Sequence, residues 1–466
     1  MKEYFDNLFN DVDKNIYLDS EQRKVILDDS KYLMVVAGAG SGKTTTMSAK
    51  VKYLVEIKNV NPKNIVLISF TNKAVSELKD RINNSFNIPC HISTFHSLAY
   101  KILKDNGKIF QIMTFPHKIV ENFFKINKKE AKILKNPQYC IEFINLYKNN
   151  PIVFHNKTKK IKALLKLYNY YLNYMKENSL IDFEDMINMC YEYLKSNTIR
   201  LQYEYIIIDE FQDISLNRYK LIELISKISD SKIIAVGDDW QAIFSFAGSE
   251  VNLFHEFSKK ATILKITNTY RNSQNLIDIA GSFVMENNNQ IKKQLKSNKR
   301  LEKAINIIGV FKKTRSLCKI IDELVKEFGL NQKILLIGRY QFDIHSYIDN
   351  KKIIKENSKI FYSKYRDLNI TFLTAHASKG LGYDNVIILN VNNDEYGFPS
   401  LKKTDKIKKK LIRTEEDYLY AEERRIFYVA LTRTKNKVYL LYDMGKKSVF
   451  LKELHKYKEI NNKIVI

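Results

Sequence analysis

Cysteine, proline, glycine and tryptophan are all scarce in this chain, and each scarcity excludes something. The 4 cysteines, Cys90, Cys140, Cys190 and Cys318, lie far apart and form no CxxC pair. That argues against a zinc or redox centre and suits a reducing compartment. With 14 Gly and 6 Pro in 466 residues, long flexible linkers are not expected. No apolar run approaches the roughly 18 residues that cross a bilayer. Residues Met1 to Asp13 carry acidic side chains early and no signal-type apolar stretch. A cytoplasmic protein without membrane contact is the expectation.

What the chain has in quantity is apolar residue and positive charge. Hydrophobic residues make up 45% of it, enough for large cores, and the length suggests two to four folded units. Lys and Arg number 77 against 52 Asp and Glu, a net charge of +25. An excess this large suits a polyanionic partner, nucleic acid above all, although a lysine-rich solvated surface gives the same balance.

Short apolar runs alternate with longer amphipathic stretches, the pattern of α/β layers built on parallel sheets. Strands are expected at Tyr32 to Ala37, Ile65 to Phe70, Tyr205 to Ile208 and Lys232 to Val236. A second set is expected at Ile334 to Ile337, Ile370 to Thr374, Val386 to Asn390 and Val438 to Leu441. The sets divide near residue 265, so two α/β lobes are predicted: residues 1–98 with 198–265, and residues 266–466. Between them, residues 99–197 read as a helical insertion rich in Lys and Tyr. No internal repeat is visible at the residue level. The charge run Lys402 to Lys410 is expected to be an exposed loop.

Residues 37 to 44 read Ala37-Gly38-Ala39-Gly40-Ser41-Gly42-Lys43-Thr44. They follow an expected strand and precede the amphipathic stretch Thr45 to Ile57, the strand-loop-helix setting of a phosphate loop. Glycines let backbone N–H groups converge on phosphate oxygens, and the helix N-terminus adds a positive dipole. Lys43 would neutralise the β- and γ-phosphates and Thr44 would ligate Mg²⁺; Thr45 continues the nucleotide-facing run. Nucleoside triphosphate hydrolysis, most simply of ATP, is therefore expected. Asp209-Glu210 follows the run Tyr205 to Ile208 at its carboxyl end, where ligands of parallel sheets sit. Asp209 suits the Mg²⁺ shell and Glu210 suits activation of the attacking water. Gln241, after another strand, could read the γ-phosphate. Arg271 and Arg433 are candidates for the cations that respond to its charge in the transition state.

In this order the motifs resemble those of the superfamily 1 helicases of the UvrD/Rep type, and within them the helicase IV group. The likeness runs from about Leu18 to Tyr442. Leu18-Asp-Ser-Glu-Gln22 resembles the adenine-reading Gln motif. Phe70-Thr-Asn-Lys-Ala74 and Thr94-Phe-His96 resemble DNA-contacting motifs, and Asp182-Phe-Glu-Asp185 an acidic motif. Asp209-Glu-Phe-Gln-Asp213 is similar to the second ATPase motif. Gly237 to Phe246, with Trp240, is similar to the third. Tyr270-Arg271 resembles the adenine-stacking Tyr and first arginine finger, Thr374 to Gly380 the fifth motif, and Glu422 to Arg433 the sixth. The resemblance implies two RecA-like P-loop lobes and a 3′→5′ DNA helicase using ATP and Mg²⁺ on single-stranded DNA and single-strand/duplex junctions. It also implies base stacking by Phe70, Phe244 and Phe246, and strand contacts by Thr94, His96 and His376. Lys157, Lys159, Lys160 and Lys162 could touch backbone.

Four departures stand out. Ala37 replaces the first Gly of the phosphate loop. The fifth motif reads Gly380-Leu381-Gly382 where relatives have Glu in last place, which removes a ribose contact. Ser245 and Phe246 stand where relatives often carry Arg and Trp. Only 31 positions separate Tyr340 from Thr371, so the accessory domain usual in the second lobe is expected to be absent or vestigial. That motivates an alternative: a translocase that unwinds poorly alone and strips proteins or feeds a partner nuclease in repair or phage defence. A non-hydrolysing DNA scaffold is disfavoured by the complete set of charged residues. RNA is not separated from DNA by these motifs.

Overall fold

The computed structural model describes the chain except for residues 11, 156, 198, 403–404, 413–415, 417, 458–459 and 466. Its frame is two mixed α/β layers. The first holds strands β1 (Tyr32–Ala37), β2 (Ile65–Ser69), β3 (His91–Thr94), β4 (Tyr205–Ile208), β5 (Lys232–Gly237) and β6 (Thr262–Ile266), ordered β3-β2-β4-β5-β1-β6. Every pairing in it is parallel. The runs YLMVVA, IVLIS and YIII are almost wholly buried, as parallel strands covered by helices on both faces must be.

The second sheet holds β7 (Ile305–Val310), β8 (Lys333–Gly338), β9 (Ile353–Glu356), β10 (Lys359–Tyr362), β11 (Tyr365–Thr374), β12 (Asn385–Ile388), β13 (Val438–Asp443) and β14 (Asn461–Val465). Their order is β9-β10-β11-β8-β12-β13-β7-β14. Apart from the antiparallel β9–β10 hairpin at one edge, this repeats the order of the first sheet, with β7 in the place of β1 and β8 in that of β2. The interval after Tyr340 holds only a 3₁₀ segment, Gln341–Tyr347, and that hairpin before β11. Six strands of these two sheets were not anticipated in the sequence: β3, β6, β7, β9, β10 and β14.

The helical insertion has a core of its own, from Ile119 to Met175. The helices flanking it, Phe95–Asp105 and Phe183–Ser196, pack instead into the core of the first sheet. The charge run near residue 405 corrects the expected exposed loop. Lys406–Leu411 is a helix, and Ile407 and Leu411 are buried in the insertion's core. Four-residue spacing puts those two side chains on one face, which the surrounding lysines obscure in composition. Asp405 accepts from Tyr139 Oη at 2.7 Å and Lys160 Nζ at 2.8 Å, and Lys408 pairs with Glu142. Lys160, a candidate for backbone contact, is thus paired within the protein; residues 403 and 404 of the run lie outside the described residues. A second lobe segment therefore straps the insertion from about 230 residues away.

Candidate nucleotide and nucleic-acid sites

The carboxyl ends of β1, β4 and β5 converge on a cavity of about 1040 Å³ between the two sheets. Its floor is the loop after β1. Gly40 and Gly42 take positive φ, +73° and +78°, which glycine adopts without steric cost. A Cβ on Gly42 would stand 2.7 Å from Gln22 Nε2, and one on Gly40 2.5 Å from Arg271 Cβ. The loop thus has no room for side chains against either neighbour. Helix Lys43–Glu56 begins at Gly42, so its first-turn N–H groups, which lack intrahelical acceptors, face the cavity. Ser41 Oγ is buried with no hydrogen-bond partner. These features fit a bound phosphate chain.

Lys43 Nζ lies 3.4 Å from Glu210 Oε1. Burial opposes the Lys43 charge, but Glu210, Asp238 and Asp209 outweigh it and raise its pKa. Glu210 sits at φ +51°, the left-handed region that a β-carbon penalises. It accepts from Gln212 Nε2 at 2.5 Å, and Gln212 Oε1 accepts the Asp238 N–H at 2.9 Å. Burial would raise the Glu210 carboxyl, yet the cations Lys43 and Lys379 hold it low. Asp209 goes the other way: burial and the adjoining Glu210 charge push it up to about 7. The Asp209 carboxyl and the Thr44 hydroxyl both line this cavity, a hard oxygen donor set of the kind Mg²⁺ takes.

The second lobe contributes cations. Arg433 Nη2 donates to Gln241 Oε1 at 3.2 Å and its Nη1 to Leu381 O at 3.2 Å. Arg271 Nη1 reaches Thr432 O at 3.5 Å. Among the described residues neither arginine has an ion-pair partner. Burial, then the neighbouring Arg271, lowers Arg433 to about 9, and burial lowers Arg271. Two guanidiniums side by side, neither held in an ion pair, form a site for an anion. Gly382 serves this arrangement, because a Cβ there would stand 3.2 Å from Arg271 Nε.

Three expected nucleotide contacts are partly engaged elsewhere. Gln22 is buried beneath the loop, donating to Ser41 O at 3.2 Å and accepting from Asp19 N at 3.0 Å. Thr45 Oγ1 accepts from Arg81 Nη1 at 2.7 Å. Tyr270 lines the cavity and remains 63% exposed, its hydroxyl donating to Asp19. Ala37 is buried at the end of β1, and Gly38 and Ala39 line the cavity beyond it.

A second cavity of about 350 Å³ collects Phe70, Thr94, His96, Phe244 and Phe246. His376 lines the first cavity and joins the aromatic cluster, its ring centroid 5.2 Å from that of Phe246 and 6.0 Å from that of Phe244. Phe246 is 53% exposed, whereas Phe70 leans on Phe95 at 5.1 Å. Thr94 caps helix Phe95–Asp105, accepting from Ser97 N at 3.2 Å. Burial, then Arg218, lowers His96 to about 4; burial, then Arg339, does the same to His376. The acidic motif acts as a brace: Asp182 and Asp185 hold buried Lys148 of the insertion at 2.5 and 2.7 Å, and Glu184 pairs with Arg218 beside His96.

Sequence reasoning passed over Lys379, which lies within the fifth motif. It crosses from the second lobe to Asp213 Oδ2 at 2.5 Å and Gln241 O at 2.6 Å, with its ammonium 5.0 Å from the Phe244 ring centre. It lines the first cavity, and Asp213 and Phe244, which it contacts, line both. Also missed were Tyr340, Phe342 and Tyr396, which form an aromatic cluster with centroids 5.2 to 5.5 Å apart at the carboxyl end of β8. The run Arg339-Tyr-Gln-Phe342 directly after a strand was the available signal.

Residues 18–262 match the family model of the UvrD/REP helicase N-terminal domain, and residues 343–444 that of the UvrD-like helicase C-terminal domain. DNA helicase IV of Escherichia coli (strain K12) is 26% identical across 94% of this chain and 70% of its own. ATP-dependent DNA helicase Rep of Buchnera aphidicola subsp. Acyrthosiphon pisum (strain APS) is 28% identical across 80% of this chain. The alignment spans 63% of that relative, under two thirds of its length.

Proposed function

This chain belongs to the UvrD/REP helicase family, and from that premise we propose that it is a DNA-stimulated ATPase that moves 3′→5′ along single-stranded DNA and separates strands at junctions. The observation that carries the reading is the convergence on one cavity of Lys43 and Glu210 from the first lobe with the carboxylate-free Arg271 and Arg433 from the second. Each lobe then grips the same γ-phosphate, and closure depends on its presence.

Lys43 leaves Glu210 for the incoming phosphate, as opposite charge at closer range dictates. Freed of that partner, Glu210 takes a proton from the water that attacks the γ-phosphorus, while the bond to the β–γ bridging oxygen breaks. Arg433 and Arg271 meet charge developing on the transferred group. Mg²⁺ held by Thr44 and Asp209 would neutralise phosphate oxygens. Gln241 Oε1, already aimed at Arg433, reports γ-phosphate occupancy. Lys379 links Gln241 to the aromatic cavity, so closure is transmitted to Phe244 and Phe246, which stack on bases. The direction of movement is carried over from the resemblance to UvrD/Rep-type helicases.

A second reading has its own observation. Only a 3₁₀ segment and a hairpin occupy the interval between Tyr340 and β11, which favours a translocase that strips proteins or serves a partner nuclease. Strand displacement on 3′- and 5′-tailed duplexes, run beside streptavidin displacement and ATPase assays, separates the two. Turnover that does not rise with oligo-dT would defeat both.

A further inference from the structure

The stretch 291–293, on the path from helix Gln274–Met285 to β7, makes a set of contacts that the hydrolytic site does not itself require. Lys293 Nζ lies 2.5 Å from Asp238 Oδ1 and 2.9 Å from Asp239 Oδ1, and all three side chains are wholly removed from solvent. The ammonium sits 4.0 Å from the centre of the Trp240 ring. Trp240 Nε1 donates to Ile291 O at 3.2 Å, and Ile291 N donates to Asp239 Oδ2 at 2.6 Å. Asp238, Asp239 and Trp240 immediately precede Gln241.

The chain of contacts continues to the nucleotide side. Asp238 Oδ2 accepts from Gln241 Nε2 at 2.5 Å, while Gln241 Oε1 accepts from Arg433. A glutamine amide has a donor end and an acceptor end. Fixing the donor end on Asp238 is what presents the acceptor end to Arg433. Asp238 does this with Oδ2 while its Oδ1 faces Lys293, and two adjoining buried carboxylates repel each other unless a cation lies between them. Lys293 is that cation, and the Trp240 face adds to its hold.

We propose that Lys293 is a positioning residue for ATP hydrolysis, setting the orientation of Gln241 through Asp238. The proposal rests on the reading of Gln241 as the γ-phosphate reporter. Because Lys293 follows a helix packed in the second lobe's core, the orientation of a first-lobe side chain is dictated from the second lobe's side.

A double-mutant cycle on the full chain tests this, with kcat and the KM for ATP measured in saturating oligo-dT. Lys293→Met keeps the bulk and removes the charge. It should lower kcat about 10²-fold, as small misplacements near the reacting group do, and leave KM for ATP within roughly twofold. In a Gln241→Ala background the same substitution should cost almost nothing further. An equal loss in both backgrounds, or a loss confined to KM, overturns the proposal. A harmless Gln241→Ala overturns the γ-phosphate reading first, and is told apart by that single variant. Lys293→Met/Asp239→Asn preserves the net charge of the buried group, so it covers the case in which the single substitution does not fold. It removes the repulsion between the carboxylates but also the ammonium that Asp238 Oδ1 meets at 2.5 Å, so it should still lower kcat, and wild-type turnover in it also overturns the proposal.

Discussion

The two sheets share a strand order and differ, besides the β9–β10 hairpin, at one turn. After β1, five residues, Gly38 to Gly42, open a cradle before helix Lys43–Glu56. After β7, the place equivalent to β1, only Phe311 and Lys312 intervene before helix Lys313–Phe328, and neither is glycine. The second turn cannot wrap phosphate, because its backbone has neither the length nor the left-handed positions. In the proposed function one frame is therefore used twice for opposite ends: the first lobe would hold the nucleotide, and the second would meet it with arginines. Chemistry that needs a fixed cradle and chemistry that needs a movable cation are kept on separate bodies.

The comparison breaks most readily at Arg433. Arg433→Ala should lower DNA-stimulated turnover by roughly 10³-fold, as loss of an arginine finger does, with nucleotide binding to the first lobe retained in a fluorescent-ATP titration. A loss under about fivefold would mean the second lobe is not catalytic. Next comes Glu210→Gln, which should slow the hydrolytic step by about 10²-fold in single-turnover quench experiments; unchanged chemistry would reassign the base. A smaller effect sharpens the division between cavities. Phe246→Ala should weaken oligo-dT binding by about tenfold, the worth of one stacked base, measured by anisotropy. Affinity unaltered by that change would place the strand elsewhere.

The smallest effect expected concerns pH. His96 and His376 have folded pKa values near 4 against 6.5 for the free side chain, so both are neutral between about pH 5 and 8. Oligo-dT affinity should show no step near pH 6.5 that His376→Gln abolishes. Their linkage to folding has a definite sign. The unfolded chain binds the protons first, so this contribution to stability is complete above pH 6.5 and is lost as pH falls toward 4. Melting temperatures across that range check it.

Local strings were legible. Lys43, Asp209 and Glu210 lie in runs whose flanking strands announce themselves by continuous burial, and the family likeness drawn from those runs is borne out by the matched models. Other strands were not. β6 reads Thr-Ile-Leu-Lys-Ile with mostly exposed side chains, so it carries no apolar run. β7 is buried throughout, but Asn306 and Gly309 interrupt its sequence. Lys379 and Lys293 escaped notice for another reason. Their carboxylate partners lie 166 and 55 positions away, and a lysine among 77 basic residues has no local mark. The helix Lys406–Leu411 hid in the same way, its two apolar residues diluted by four lysines.

That helix also bears on biosynthesis. The insertion's own helices are complete by Glu177, yet Ile407 and Leu411 finish its core. At ~5–20 residues per second, the ribosome takes roughly 12 to 50 seconds to supply them. Throughout that interval the insertion's core lacks the two side chains that complete it, so its nascent apolar surface stands partly uncovered.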